Sequence, residues 1–217
     1  QKVQSLLASR LFNIDKKFIL VGNGGAELIN ELGKYFNSKF NIFSPTFKEY
    51  EQKFKNININ FIKSENFTSE VNKLLKKNFK RSGLILVNPD NPSGSFVEKE
   101  ELVDFISQNK ETPIIIDESF MDFAEKKLRY TLIDESFLAK YKNVFVIKSI
   151  GKSYGTGGLR LGILASGNFK ALKKINSQLS IWNINSLAEN FLQISPKYKL
   201  EFDESCEKVV KERVGIK

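Results

Sequence analysis

Histidine is absent from the 217 residues, and cysteine, methionine and tryptophan occur once each. Without histidine, the commonest general acid–base and metal-binding side chain is excluded. Proton transfer then falls to lysine, aspartate, glutamate, tyrosine or a bound cofactor. A lone Cys206 excludes an internal disulfide and any multi-cysteine metal centre, and reads as a structural thiol. No apolar run approaches the roughly 20 residues of a membrane-spanning helix, and no signal-peptide pattern opens the chain. These absences predict a cytoplasmic protein with no membrane partner and no metal site.

Hydrophobic residues make up 41% and charged residues 27%, which suits a globular chain able to bury one sizeable core. The 19 phenylalanines are spread along it and read as core-forming. Thirty-four basic residues against 25 acidic ones give a net charge of +9. Nucleic acid would suit that charge, but the lysines are scattered and no aromatic–basic motif accompanies them. A solvated, lysine-rich surface is expected, with attraction of phosphorylated small molecules as its functional side and no nucleic-acid partner.

Apolar spacing predicts helices over residues 3–11, 26–36, 69–78, 99–109, 168–178 and 185–194, with another starting at 50–54. In the third, Ser69 and Glu70 suit a cap. Strands are expected at 18–21, 40–43, 57–62, 83–87, 113–116, 144–147 and 160–165, the last in an antiparallel sense. This alternation predicts an α/β fold: a mostly parallel central sheet with helices on both faces. Ligands of such sheets bind outside the carboxyl ends of the strands, where the unusual residues of this sequence fall.

Gly22-Asn23-Gly24-Gly25-Ala26-Glu27 lies between a strand and a helix. It reads as a structural turn or as a phosphate cradle at a helix N-terminus. NPDNPSG, residues 88–94, follows a buried strand as a tight turn or a ligand loop. Asp117 and Glu118 end the next strand, where a buried acid needs a partner. An N-cap, an ion pair or a cationic ring nitrogen would serve. Ser149-Ile150-Gly151-Lys152 follows the strand at 144–147. A lysine there is an exposed loop residue or, when desolvated, a nucleophile. Arg160 could clamp a phosphate in bidentate fashion. Cradle, amide, acid, amine and arginine thus occur in order at successive strand ends, and together form the set that pyridoxal phosphate (PLP) needs.

The segments GNGGAELI, SPTFKEY, NPDNPSG, DESFMDF and SIGKSYGTGGLRLG resemble, in family order, the motifs of the fold type I PLP enzymes, aminotransferase class I/II. The nearest branch holds histidinol-phosphate aminotransferase and threonine-phosphate decarboxylase. The resemblance implies that Gly25 and Ala26 give backbone N–H groups to the cofactor phosphate, with Ser149 and Arg160 completing its binding. It further implies that Phe47 stacks on the pyridine ring, Asn91 hydrogen-bonds the ring hydroxyl and Asp117 pairs with the ring nitrogen. Lys152 would form the Schiff base and then shuttle the proton, which makes Lys152 and Asp117 the implied catalytic pair.

The implied activity is transfer of an amino group between an amino acid, phosphorylated or not, and a 2-oxo acid. Decarboxylation of an amino-acid phosphate is the alternative, and a PLP-binding fragment without activity is another. Phe120 stands where many relatives carry tyrosine, so one phenol donor to the ring hydroxyl is missing. PTFKEY, DESFMDF and IWNINSLAE resemble the decarboxylase side more. By the same resemblance, residues 1–195 correspond to the PLP-binding large domain without its first segment. Residues 196–217 correspond to the start of the connecting helix. The family's small C-terminal domain is absent or truncated, so a piece of a longer polypeptide is expected, acting as a homodimer.

Overall fold

The computed structural model describes residues 2–63, 66–76, 82–125 and 129–215. The last residues of the helix expected at 69–78 lie outside them. Strands β1 (Ile19–Asn23), β2 (Phe40–Ser44), β3 (Ile57–Phe61), β4 (Gly83–Val87), β5 (Ile114–Asp117), β6 (Val144–Ser149) and β7 (Leu161–Ser166) form one sheet. Their order is β1-β7-β6-β5-β4-β2-β3. β7 runs antiparallel to β1 and β6, and the other neighbours pair in parallel. Helix α1 (Lys2–Phe12) precedes them, and between them lie α2 (Gly24–Tyr35), α3 (Glu49–Lys53), α4 (Phe67–Leu75) and α5 (Lys99–Gln108). The remaining helices are α6 (Glu135–Lys140), α7 (Ile150–Ser153), α8 (Phe169–Asn176), α9 (Ser186–Ile194) and α10 (Lys199–Gly215).

The two-residue period of a strand sends alternate side chains to opposite faces, and the central strands are apolar at both. Leu84, Leu86, Ile114, Ile116, Val144 and Val146 enter one core with residues of α1, α4, α5, α6 and α9. Ile85, Val87, Ile115, Phe145 and Ile147 enter a second core with α2, α3 and α8. The result is a three-layer α/β/α domain, with each fully buried aliphatic side chain contributing about 1.5–3 kcal/mol. Among the described residues, no helix is long and apolar enough to cross a membrane.

Local hydrogen bonds move several expected boundaries. A 3-10 turn at Lys16–Phe18, capped by the Asp15 carboxylate, delays β1 to Ile19. The α4 helix starts at Phe67 because Asn66, rather than Ser69, is its cap and accepts the Ser69 N–H. β7 starts after Arg160, which holds φ at 54°. The short α6 has no counterpart in the periodicity.

Because β7 is reversed, its amino end lies at the same sheet edge as the carboxyl ends of β1, β2, β4, β5 and β6. That edge therefore collects the loops at Gly24, Pro45, Asn88, Glu118 and Ile150 together with Arg160.

Candidate active site

The loop after β1 leads straight into α2, with Gly24 at φ +74°, a conformation that favours glycine. A Cβ at Gly24 would also lie 2.7 Å from Arg160 Nη2. Asn23, the N-cap, makes no side-chain capping bond. Its own N–H donates to Glu27 Oε2 at 2.7 Å. The first N–H groups of this 12-residue helix, those of Gly25 and Ala26 included, thus receive no cap from the Asn23 side chain. A Cβ on Gly25 would sit 3.8 Å from Ser149 Cβ, and one on Gly162 only 2.6 Å from the Gly24–Gly25 backbone. Bare glycine at these positions lets the loop lie close against β6 and β7, with Gly25 facing Ser149. Arg160 is exposed, with its guanidinium against Gly24. Its left-handed backbone costs about 1–2 kcal/mol.

At the end of β5, Asp117 is 2% exposed. Its Oδ2 accepts from the Tyr50 hydroxyl at 2.8 Å and its Oδ1 from Ser119 N–H at 2.9 Å. Tyr50 is wholly buried, and burial pushes its phenol well above the usual tyrosine range, assisted by the Asp117 charge and their hydrogen bond. It therefore remains a donor. Both donors to Asp117 are neutral, and among the described residues no cation pairs with it. A buried carboxylate so arranged suits an added cationic group. Glu118 points to the opposite face, where Thr131 hydroxyl and Leu132 N–H donate to it at 2.6 and 2.7 Å. Burial raises its pKa, against the opposing pull of Lys148 and these two donors. Its role is structural.

Lys152 projects from the single turn of α7. Its Nζ lies 5.0 Å from the Phe47 ring centroid and 4.3 Å from that of Phe120. Two aromatic faces at such range stabilise an ammonium by about 0.5–2 kcal/mol. Among the described residues no carboxylate pairs with this amine. The lysine is thereby brought to the phenylalanine expected to stack on a cofactor ring.

The loops after β2 and β4 are tied together: the Thr46 hydroxyl donates to Asp90 Oδ1, and Ser93 Oγ donates to Asp90 Oδ2 at 2.5 Å. Thr46 and Asp90 directly precede Phe47 and Asn91. Of the two asparagines in this loop, Asn88 is fully buried and consumed by Val97 and Tyr130. Asn91 is exposed and lines a cavity of about 530 Å³ together with Phe120 and Phe123. Each residue that the resemblance assigns to the cofactor thus sits at this one sheet edge. Tyr50, Ser119, Thr46, Asp90 and Gly162 join them. Of these, Tyr50 had a sequence signal, as the start of the helix expected at 50–54. Among the described residues no group of three acidic or cysteine side chains could hold a metal ion.

A mixed seven-stranded sheet between two helical layers, with its reactive side chains at the carboxyl edge, is the architecture of a PLP-dependent transferase large domain. The chain belongs to the family aminotransferase class I and II, whose model matches residues 1–201. It is 33% identical over 202 residues to an L-serine phosphate decarboxylase of Campylobacter jejuni, covering 88% of this chain and 51% of that protein. It is 32% identical over 209 residues to a histidinol-phosphate aminotransferase of Clostridium novyi, covering 92% and 56%. The chain thus spans about half the length of these curated relatives. Among solved structures, a decarboxylase from Sulfurospirillum multivorans matches with TM-score 0.84 at 24% identity, over 99% of this chain and 63% of that one. A histidinol-phosphate aminotransferase from Sinorhizobium meliloti, in complex with PLP, matches with TM-score 0.77 at 17% identity, over 98% and 60%. At those identities the structural likeness establishes the fold alone.

Proposed function

We propose that the chain is the cofactor-binding part of a PLP-dependent aminotransferase that moves an amino group between an amino acid and a 2-oxo acid. The observation that carries this reading is the presence at one sheet edge of Lys152, lodged against Phe47 and Phe120, and of a buried Asp117 held by neutral donors. The N–H groups of Gly25 and Ala26, the Ser149 hydroxyl and Arg160 would hold the cofactor phosphate. Phe47 would cover one face of the ring, Asn91 would meet its hydroxyl, and Asp117 would keep a proton on its nitrogen. When bound, PLP supplies an electron sink for a carbanion at the amino acid's α-carbon. Lys152 Nζ then serves as the base that takes the α-proton and the acid that returns it. Phe47 and Phe120 pack beside that amine.

A second reading, decarboxylation of an amino-acid phosphate, is favoured by the likeness to the serine phosphate decarboxylase and by the DESFMDF segment. Product analysis separates them: a 2-oxo acid from the first, carbon dioxide with an intact amine from the second. PLP binding without turnover would instead mark an inactive binding module.

For the cofactor itself, absorbance should be followed while PLP is added to the full-length protein and to its Lys152→Ala variant. A new, pH-sensitive visible band is expected in the parent and not in the variant. The same spectra from both proteins would contradict the assignment.

A further inference from the structure

The ladder between β5 and β6 continues one bond past Asp117, with Glu118 N–H donating to Ile147 O at 2.8 Å. The even spacing of a parallel ladder would then send Ser149 N–H to the Glu118 carbonyl. That carbonyl is taken by Met121 N–H at 3.0 Å, as the chain turns into the 3-10 segment Met121–Phe123. Ser119 Oγ meets the stranded Ser149 N–H instead, at 2.9 Å. Ser119 is 1% exposed, and its own N–H donates to Asp117 Oδ1. One buried serine thus touches both ends of the site, through different atoms.

Resting on the PLP reading of the site, we propose that Ser119 is a positioning residue whose hydroxyl fixes Ser149 and, through it, the phosphate end. Ser149 lies opposite Gly25 and begins the turn that carries Lys152. Deleting the hydroxyl leaves a half-buried N–H without its acceptor and loosens the carboxyl end of β6. Asp117 keeps both of its donors, because the Ser119 N–H belongs to the backbone. The two ends of the site are therefore separable by experiment.

The test compares PLP with pyridoxal, which has the same ring and aldehyde but no phosphate. Affinities for both are measured by absorbance titration on the full-length parent, Ser119→Ala and Ser119→Cys. Cysteine keeps the side-chain volume while offering a weak acceptor, which guards against a loss caused by an emptied space. In both variants PLP is expected to bind about five- to tenfold more weakly, with pyridoxal affinity unchanged. Equal weakening of both ligands would mean a general structural role and overturn the proposal, as would unchanged PLP affinity. A parent that binds neither ligand overturns the PLP reading of the site itself, and the role of Ser119 with it.

Discussion

Asp117 and Lys152 are one acid and one amine among many, and each acquires meaning from its surroundings. The acid is buried with two neutral donors, and the amine rests on two aromatic rings. Tyr50→Phe removes one donor and leaves Asp117 Oδ2 buried without it. The expected loss is about 1–3 kcal/mol of stability, measured by urea denaturation at neutral pH. The pH dependence has a definite sign. A phenol raised above 10.0 in the folded state stabilises fully below that value, and the stability is lost as pH rises beyond it. Tyr50→Phe should lack that alkaline component, whereas an unchanged alkaline limb would assign it to other groups. Lys152, Asp117 and the glycines of the β1–α2 loop were legible because reactive residue types stand at strand ends. Ser119, Thr46 and Asp90 were not. Their significance lies in bonds between loops far apart in sequence, and serine, threonine and aspartate are ordinary turn residues.

The strands read best where they are buried on both faces, as continuous apolar runs at 83–87 and 144–147. Helices of eight or more residues with an apolar stripe were also legible, to within a few residues at their ends. Short elements fared unevenly: the five-residue α3 was expected at 50–54, but α6 spans six residues and α7 four, too few to show a period. What marks α6 is its cap. Asp134 Oδ1 accepts from Phe137 N–H at 2.8 Å and from the Ser136 hydroxyl at 2.5 Å. The Ser136 hydroxyl first, then the Phe137 N–H, holds that carboxyl below its usual range. Asp134→Ala should cost about 1 kcal/mol, seen as a lower thermal midpoint at neutral pH. Since the cap acts through the ionised acid, its contribution is present above the ordinary aspartate value and fades as pH falls. Parent and variant should therefore converge in acid, and a constant gap would argue for lost packing instead.

Across the whole molecule, the apolar side chains left at the surface are informative. Ile181 is 86%, Trp182 92% and Leu187 68% exposed, close together in sequence before and within α9. Large exposed apolar side chains mark interaction surfaces, and we propose that a second copy covers these, as in the homodimer expected from the family resemblance. Light scattering on the full-length protein should give a dimer for the parent and a larger monomer fraction for Trp182→Ser. Identical masses would place this patch outside any such interface. The architecture was legible at this scale because strand–helix alternation constrains topology. The reversal of β7 brings Arg160 to the edge that holds the candidate site, and it showed only as an antiparallel expectation for residues 160–165.

The measurement that bears most directly on the central claim is borohydride reduction of the full-length protein in the presence of PLP, followed by peptide mass mapping. Reduction fixes the cofactor to whichever amine carries it. Label concentrated on the peptide containing Lys152 is the expected result. Label scattered over other lysines, with none enriched at Lys152, would contradict the assignment of this sheet edge as a PLP site.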